Sequence, residues 1–125
     1  MPTINLTNET FQQTISQTDI VLVDWWADWC GPCKAFAPTF EAKSDEHPDI
    51  TFAKVDTEAE QQLSQIAQIT SIPTLMVFRE NILLFSQAGA LPPAALEELI
   101  QATKALNMDQ VKAEIERQRQ DDAQK

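Results

Sequence analysis

The sequence predicts an α/β fold with a mixed central sheet, element order βαβαβαββα, and helices on both faces. Three observations carry that expectation. Residues 20–27 (Ile-Val-Leu-Val-Asp-Trp-Trp-Ala) are apolar at all positions but Asp24 and rich in β-branched and aromatic side chains. The run is too short for a buried helix and reads as a central strand covered on both faces. Strand-like and helix-like segments then alternate, which implies parallel strands joined by helical crossovers. Later, two β-rich runs are separated only by Glu80 and Asn81, so the last strand pair is an antiparallel hairpin.

Each element follows from its local pattern. Residues 3–6 form a short strand. Asn8 is placed to cap a helix over residues 9–17, where Phe11 and Ile15 stand one turn apart. After the central strand a helix runs from about Pro32 to His47. Pro32 suits a first turn, whereas Pro38 should kink the interior. Residues 50–56 make the next strand. Residues 58–68 make a helix with Leu63, Ile66 and Ala67 on one side. The hairpin comprises residues 74–79 and 82–87. Its turn lacks glycine, but Asn81 tolerates positive φ. The last helix of the domain starts at Pro92 and Pro93, with Leu96, Leu99, Ile100 and Thr103 at helical spacing.

Beyond Leu106 only Met108, Val111 and Ile115 continue an apolar stripe, and residues 117–125 are polar apart from Ala123. The chain therefore divides into a domain over residues 1–106 and a fraying helical extension over residues 107–125. The alternative for that extension is a docking surface for a partner or second copy.

Composition narrows the function classes. The 125 residues suit one domain, and 43% hydrophobic content suits a globular one. No apolar run approaches the ~20 residues of a membrane helix. Residues 1–5 show neither a basic nor an apolar leader pattern, which sets cytoplasm as the expected compartment. A net charge of −10 argues against nucleic acid and anionic membrane as partners. That charge lies in the domain: residues 1–105 hold 14 acids and 5 bases, and residues 106–125 hold 5 and 4.

Only two glycines and two cysteines occur: Gly31, Gly89, Cys30 and Cys33. One short loop cannot staple a domain, so a disulfide framework is excluded. With His47 the only histidine, one chain cannot supply a four-ligand Cys/His zinc site. Redox chemistry, a metal site shared between chains, and coincidence remain for the cysteines. Disulfide exchange needs an attacking thiolate and a second thiol near enough to resolve the mixed disulfide. A C-x-x-C that opens a helix meets both needs. The first sulfur then lies at the N-terminus, where free N–H groups and the dipole favour a thiolate, and the second is shielded in the first turn.

Trp29-Cys30-Gly31-Pro32-Cys33-Lys34, preceded by Asp24-Trp25-Trp26-Ala27-Asp28, resembles the active-site segment of the thioredoxin family. Ile72-Pro73-Thr74 resembles that family's cis-proline loop, and Ala88-Gly89-Ala90 its glycine loop before the last helix. The resemblance spans about residues 3–106 and implies a thioredoxin fold. The chain departs from the pattern in lacking tyrosine, in its glycine-free hairpin turn and in its tail, which leaves client choice open.

The resemblance implies roles. Cys30 is the exposed nucleophile and Cys33 the buried resolving thiol. Asp24, in an apolar strand, should have a raised pKa suited to taking the Cys33 proton. Lys54, also in a strand, is expected to pair with Asp24 and moderate that shift. Trp29 lies over the rim of the site. Gly31 allows close backbone packing and Pro32 stiffens the pair. A cis Pro73 leaves the Ile72 backbone open to an extended client segment, and Gly89 lets a client backbone approach. The alternative for Gly89 is a β-bulge. Trp26 is support, Trp25 core, and His47 is given no function.

The resulting expectation is a monomeric thiol-disulfide oxidoreductase that reduces client protein disulfides. It binds no cofactor or metal and is re-reduced by a thioredoxin reductase, with NADPH acting only through that reductase. The Gly-Pro spacer matches reducing members and places the potential near the thioredoxin end of the range. Two other readings are a thioredoxin-like binding or chaperone module with a non-essential Cys pair, and an intermolecular zinc or iron–sulfur site.

Overall fold

The computed structural model describes residues 3–124; Met1, Pro2 and Lys125, at the outer ends of the two expected segments, lie outside the described residues. The chain order is β1 (Thr3–Asn5), α1 (Phe11–Gln17), β2 (Ile20–Trp26), α2 (Gly31–Glu46), β3 (Thr51–Asp56), α3 (Gln61–Ile66), β4 (Thr74–Arg79), β5 (Ile82–Ala88), α4 (Pro93–Ala105) and α5 (Met108–Ala123). The sheet order is β1-β3-β2-β4-β5. β1 and β2 run parallel to β3, whereas β4 is antiparallel to both β2 and β5. This is the mixed sheet that the sequence predicts, with β2 in the middle.

The twofold period of a strand explains why β2 is apolar almost throughout. Ile20 and Leu22 point to one face, where Phe36, Phe40, Leu96 and Ile100 of α2 and α4 cover them. Val21, Val23 and Trp25 point to the other, against Ile15 of α1 and Leu63 of α3. Asp24 belongs by parity to the first face, below α2. Its register partners are Lys54 on β3 and Leu75 on β4. α2 is continuous from Gly31 to Glu46 with Pro38 inside it, so the expected kink does not interrupt the helix.

Two local expectations shift, and the hairpin turn takes the form expected of it. α1 begins at Phe11, with Thr10 and not Asn8 as its N-cap. The Asn8 N–H instead donates to Glu60 Oε1 at 2.8 Å, and the Thr10 hydroxyl accepts the Thr7 N–H at 2.9 Å. A tertiary tie and a tight turn have displaced the simple cap. α3 is shorter than expected because Asp56 Oδ1 accepts the N–H groups of Glu58 and Ala59, holding that stretch as a turn. In the β4–β5 turn both Glu80 (φ 52°) and Asn81 (φ 67°) take positive φ, the primed-turn geometry that matches strand twist. The Glu80 N–H donates to Asp19 O at 2.8 Å, and its carboxylate takes Lys112 Nζ at 2.5 Å.

Arg79 Nη1 donates to the carbonyls of Thr103 (2.9 Å), Lys104 (3.3 Å) and Leu106 (3.2 Å), satisfying the free C-terminal end of α4. Asn107 Oδ1 then caps α5 by accepting the Gln110 N–H. Met108 is buried and Val111 half-buried, but every described residue from Lys112 onward is exposed. No described helix is long and apolar enough to cross a membrane.

Candidate redox active site

β2 delivers the chain through Ala27, which is fully buried, to Cys30 at the N-cap of α2. Cys30 has extended backbone (φ −88°, ψ 110°), and its Sγ accepts the Cys33 N–H at 3.2 Å. Pro32 occupies the first turn, where a missing N–H costs nothing. Cys30 and Cys33 form a disulfide across Cα atoms 5.2 Å apart. The resemblance implied an exposed Cys30 above a buried Cys33. Instead the two are alike, at 4% and 3% exposure. They differ in the space each borders. Cys30 lines an open groove of about 490 Å³ with Trp29, Pro32 and Ile72. Cys33 lines a smaller cavity of about 100 Å³ with Asp24, Trp26, Lys34 and Lys54.

The groove is built by three separate loops. The Ile72–Pro73 bond is cis, and the Ile72 carbonyl oxygen lies 3.7 Å from Cys30 Sγ. The Pro73 carbonyl accepts the Gly89 N–H at 2.7 Å, which ties the loop before β4 to the end of β5. Gly89 has φ 104°, a conformation open to glycine and strained for other residues. The bulge in this sheet lies at Val77/Phe78, away from Gly89. Trp29 is 69% exposed, and its indole N–H donates to Glu58 Oε1 at 2.7 Å, so a bond from the β3–α3 turn orients the ring. A Cβ on Gly31 would meet no atom within 4 Å, so packing within this chain does not demand glycine there.

Asp24 is 1% exposed, and neither carboxylate oxygen has a hydrogen-bond partner among the described residues. Burial pushes its pKa up to about 7; the Lys54 charge opposes the rise and the Glu41 charge adds to it. The expected Asp24–Lys54 ion pair is not formed. Lys54 Nζ lies 3.8 Å from Glu41 Oε1 and 5.0 Å from the centroid of the Trp26 ring. Lys54 therefore acts on Asp24 through space while its ion-pair contact is with α2.

Glu41 and Glu58 were not legible as site residues. Glu41 is one of several acids on α2 and Glu58 stands in the turn before α3, and only the packing of those elements brings them to Lys54 and Trp29. His47 is buried between Glu97 (2.9 Å from Nε2) and Lys104 (3.2 Å from Nδ1). Glu46, His47 and Glu97 hold ligand-type atoms within 4.8 Å of one another. Lys43 Nζ already neutralises them, 3.2 Å from Glu46 and 3.1 Å from Glu97, so the cluster is an ion-pair network linking α2 to α4.

Known proteins share this arrangement. The Thioredoxin family model matches residues 2–102. A thioredoxin-type protein of Streptomyces coelicolor is 48% identical over 116 residues, spanning 93% of this chain and 87% of its own. Thioredoxin-1 of Saccharomyces cerevisiae is 36% identical over 92 residues, 74% of this chain and 88% of that one. Among solved structures, Plasmodium falciparum thioredoxin superposes with a TM-score of 0.74 at 35% identity, covering 80% of this chain and 97% of that one. With the family match running through the strand, disulfide and cis-proline loop, the chain belongs to the thioredoxin family, and its chemistry is thiol–disulfide exchange.

Proposed function

We propose that the protein reduces disulfides of client proteins, with Cys30 as nucleophile and Cys33 as resolving thiol. The observation that carries this assignment is the division of space: Cys30 faces the groove, while Cys33 faces the cavity that holds Asp24. In the reduced protein the Cys33 N–H and the start of α2 favour a Cys30 thiolate. That thiolate attacks one client sulfur, a Cys30–client disulfide forms, and the other client sulfur leaves as thiolate. Asp24 takes the Cys33 proton. The cavity, about three times one water's share of liquid volume, has room for transfer through water. The Cys33 thiolate then attacks Cys30 Sγ and displaces the client sulfur bonded to it, leaving the client reduced by two electrons and the protein as the Cys30–Cys33 disulfide.

Recycling falls to a thioredoxin reductase that draws on NADPH. No cofactor is needed on this chain, because the dithiol carries both electrons. Trp29, Gly31, Pro32 and Ile72 line the groove, and with Pro73 and the Gly89 tied to it they would form the client-facing rim, the client segment lying along the groove beside Ile72. Lys54 tunes Asp24 by its charge. Residues 1–106 serve as the redox domain of a monomeric, cytoplasmic electron carrier, and residues 107–125 as an appended helix. The test is insulin disulfide reduction driven by NADPH and a thioredoxin reductase. Turnover should require both cysteines; turnover retained by the Cys30→Ser, Cys33→Ser double variant would refute the assignment.

A further inference from the structure

The carboxylate that faces Cys33 and the lysine beside it in the sheet are neighbours without being partners. Asp24 and Lys54 are in register on β2 and β3, on the same face, under α2. A buried carboxylate next to a lysine ordinarily closes into an ion pair, since an unpaired buried charge is costly. Here both Asp24 oxygens lack a hydrogen-bond partner among the described residues, and the Lys54 contact is with Glu41. Glu41 is itself anchored. The Thr3 hydroxyl on β1 lies 3.1 Å and 3.2 Å from its two oxygens, each within donating distance. The Lys54 ammonium thus sits among Glu41, the Trp26 ring and the cavity edge.

We infer that Glu41 is a positioning residue for the resolving step: held by Thr3, it draws Lys54 toward α2 and keeps Asp24 a free proton acceptor facing Cys33. The inference rests on the proposed role of Asp24 as base and adds a residue outside the motif that sets it. The charged and titratable groups around Asp24 are few. Lys54 comes from β3; Lys34, Cys33 and Glu41 come from α2; Asp28 comes from the β2–α2 connection; the register neighbour on β4, Leu75, is apolar. Glu41 is the member whose loss both removes a like charge and frees Lys54. An ammonium released onto Asp24 would stabilise the carboxylate and lower its proton affinity, leaving a weaker base for Cys33.

The experiment follows the Asp24 carboxyl by carbon NMR through a pH titration of the full-length oxidised protein. It compares wild type, Glu41→Gln, Glu41→Asp, Lys54→Met and the Glu41→Gln, Lys54→Met double variant. Glu41→Gln should move the Asp24 midpoint toward acid by about one pH unit. The shift should be smaller when Lys54 is already Met, and Glu41→Asp should restore most of the wild-type midpoint. In parallel, the pH profile for resolving a Cys30 mixed disulfide should move in the same direction. An unmoved midpoint in Glu41→Gln, or an equal shift with and without Lys54, overturns the inference. The base role itself is read separately, from resolution by Asp24→Asn. A wild-type rate there would remove that role, while the NMR titration would still report whether Glu41 positions Lys54.

Discussion

Asp24 and Lys54 lie side by side on β2 and β3, yet the lysine's ion-pair contact is Glu41 on α2, and neither aspartate oxygen has a hydrogen-bond partner among the described residues. Adjacency in a sheet sets which residues are near. It does not set which charges pair, because a long lysine stem reaches whichever acid the overlying helix presents.

This arrangement carries a stability cost that depends on pH. The Asp24 pKa is about 7 in the folded protein against an ordinary 3.8, so between those values the folded state holds the extra proton. Unfolding free energy therefore falls as pH rises through that window and levels off above it. Asp24→Asn should stabilise the oxidised protein at pH 8 by on the order of 3 kcal/mol, with the gain shrinking toward pH 4. Urea unfolding at the two pH values measures the difference. An equal gain at both would mean that packing and not ionisation carries the effect.

The two cysteines are equally buried but border different spaces, Cys30 the groove and Cys33 the Asp24 cavity, which predicts asymmetric variants. Cys33→Ser should accumulate client proteins as mixed disulfides on Cys30, released by dithiothreitol and visible on non-reducing gels. Cys30→Ser should form few adducts and reduce no insulin. Equal trapping by both variants would show that the groove does not select one sulfur.

The two glycines should respond differently to alanine. Gly89 has a positive φ, so Gly89→Ala should cost about 1–2 kcal/mol by backbone strain alone, and should lower kcat/KM for protein disulfides. Gly31 has open space around its missing Cβ, so Gly31→Ala should change stability by no more than about 0.5 kcal/mol. Thermal or denaturant unfolding of both variants makes the comparison.

The C-terminal helix divides at its first turn. Ending the chain after Ala113 removes only exposed residues among those described and should leave stability and insulin reduction near wild type. Ending it after Asn107 strips away buried Met108 and the Lys112–Glu80 pair, and should lower stability by about 1–3 kcal/mol while disulfide reduction survives. Loss of activity at either truncation would assign α5 a role in the redox cycle.

Much of this molecule was legible in its amino-acid order because the signals are local. The apolar run around Asp24 reads as a strand covered on both faces, and the cysteine spacing, with Pro32 between, suits the opening turn of a helix, where a redox pair works. What was misread depended on distant partners. Asn8 looks like a cap until Glu60 claims its N–H, and Lys54 looks like the partner of Asp24 until Glu41 is packed above it. The family resemblance implied an exposed Cys30, yet it is buried on the wall of a groove that it shares with Trp29, Pro32 and Ile72.

By itself the sequence determined the strand and helix order, and its resemblance to the thioredoxin family implied the redox pair and the chemistry that the pair performs. Periodicity, turn chemistry and a two-residue spacing are properties of neighbouring positions. Only the tertiary structure decided which sulfur opens to the groove, which acid holds Lys54 and how far burial raises Asp24. Those are set by desolvation and charge geometry between residues far apart in the chain, which no local pattern encodes.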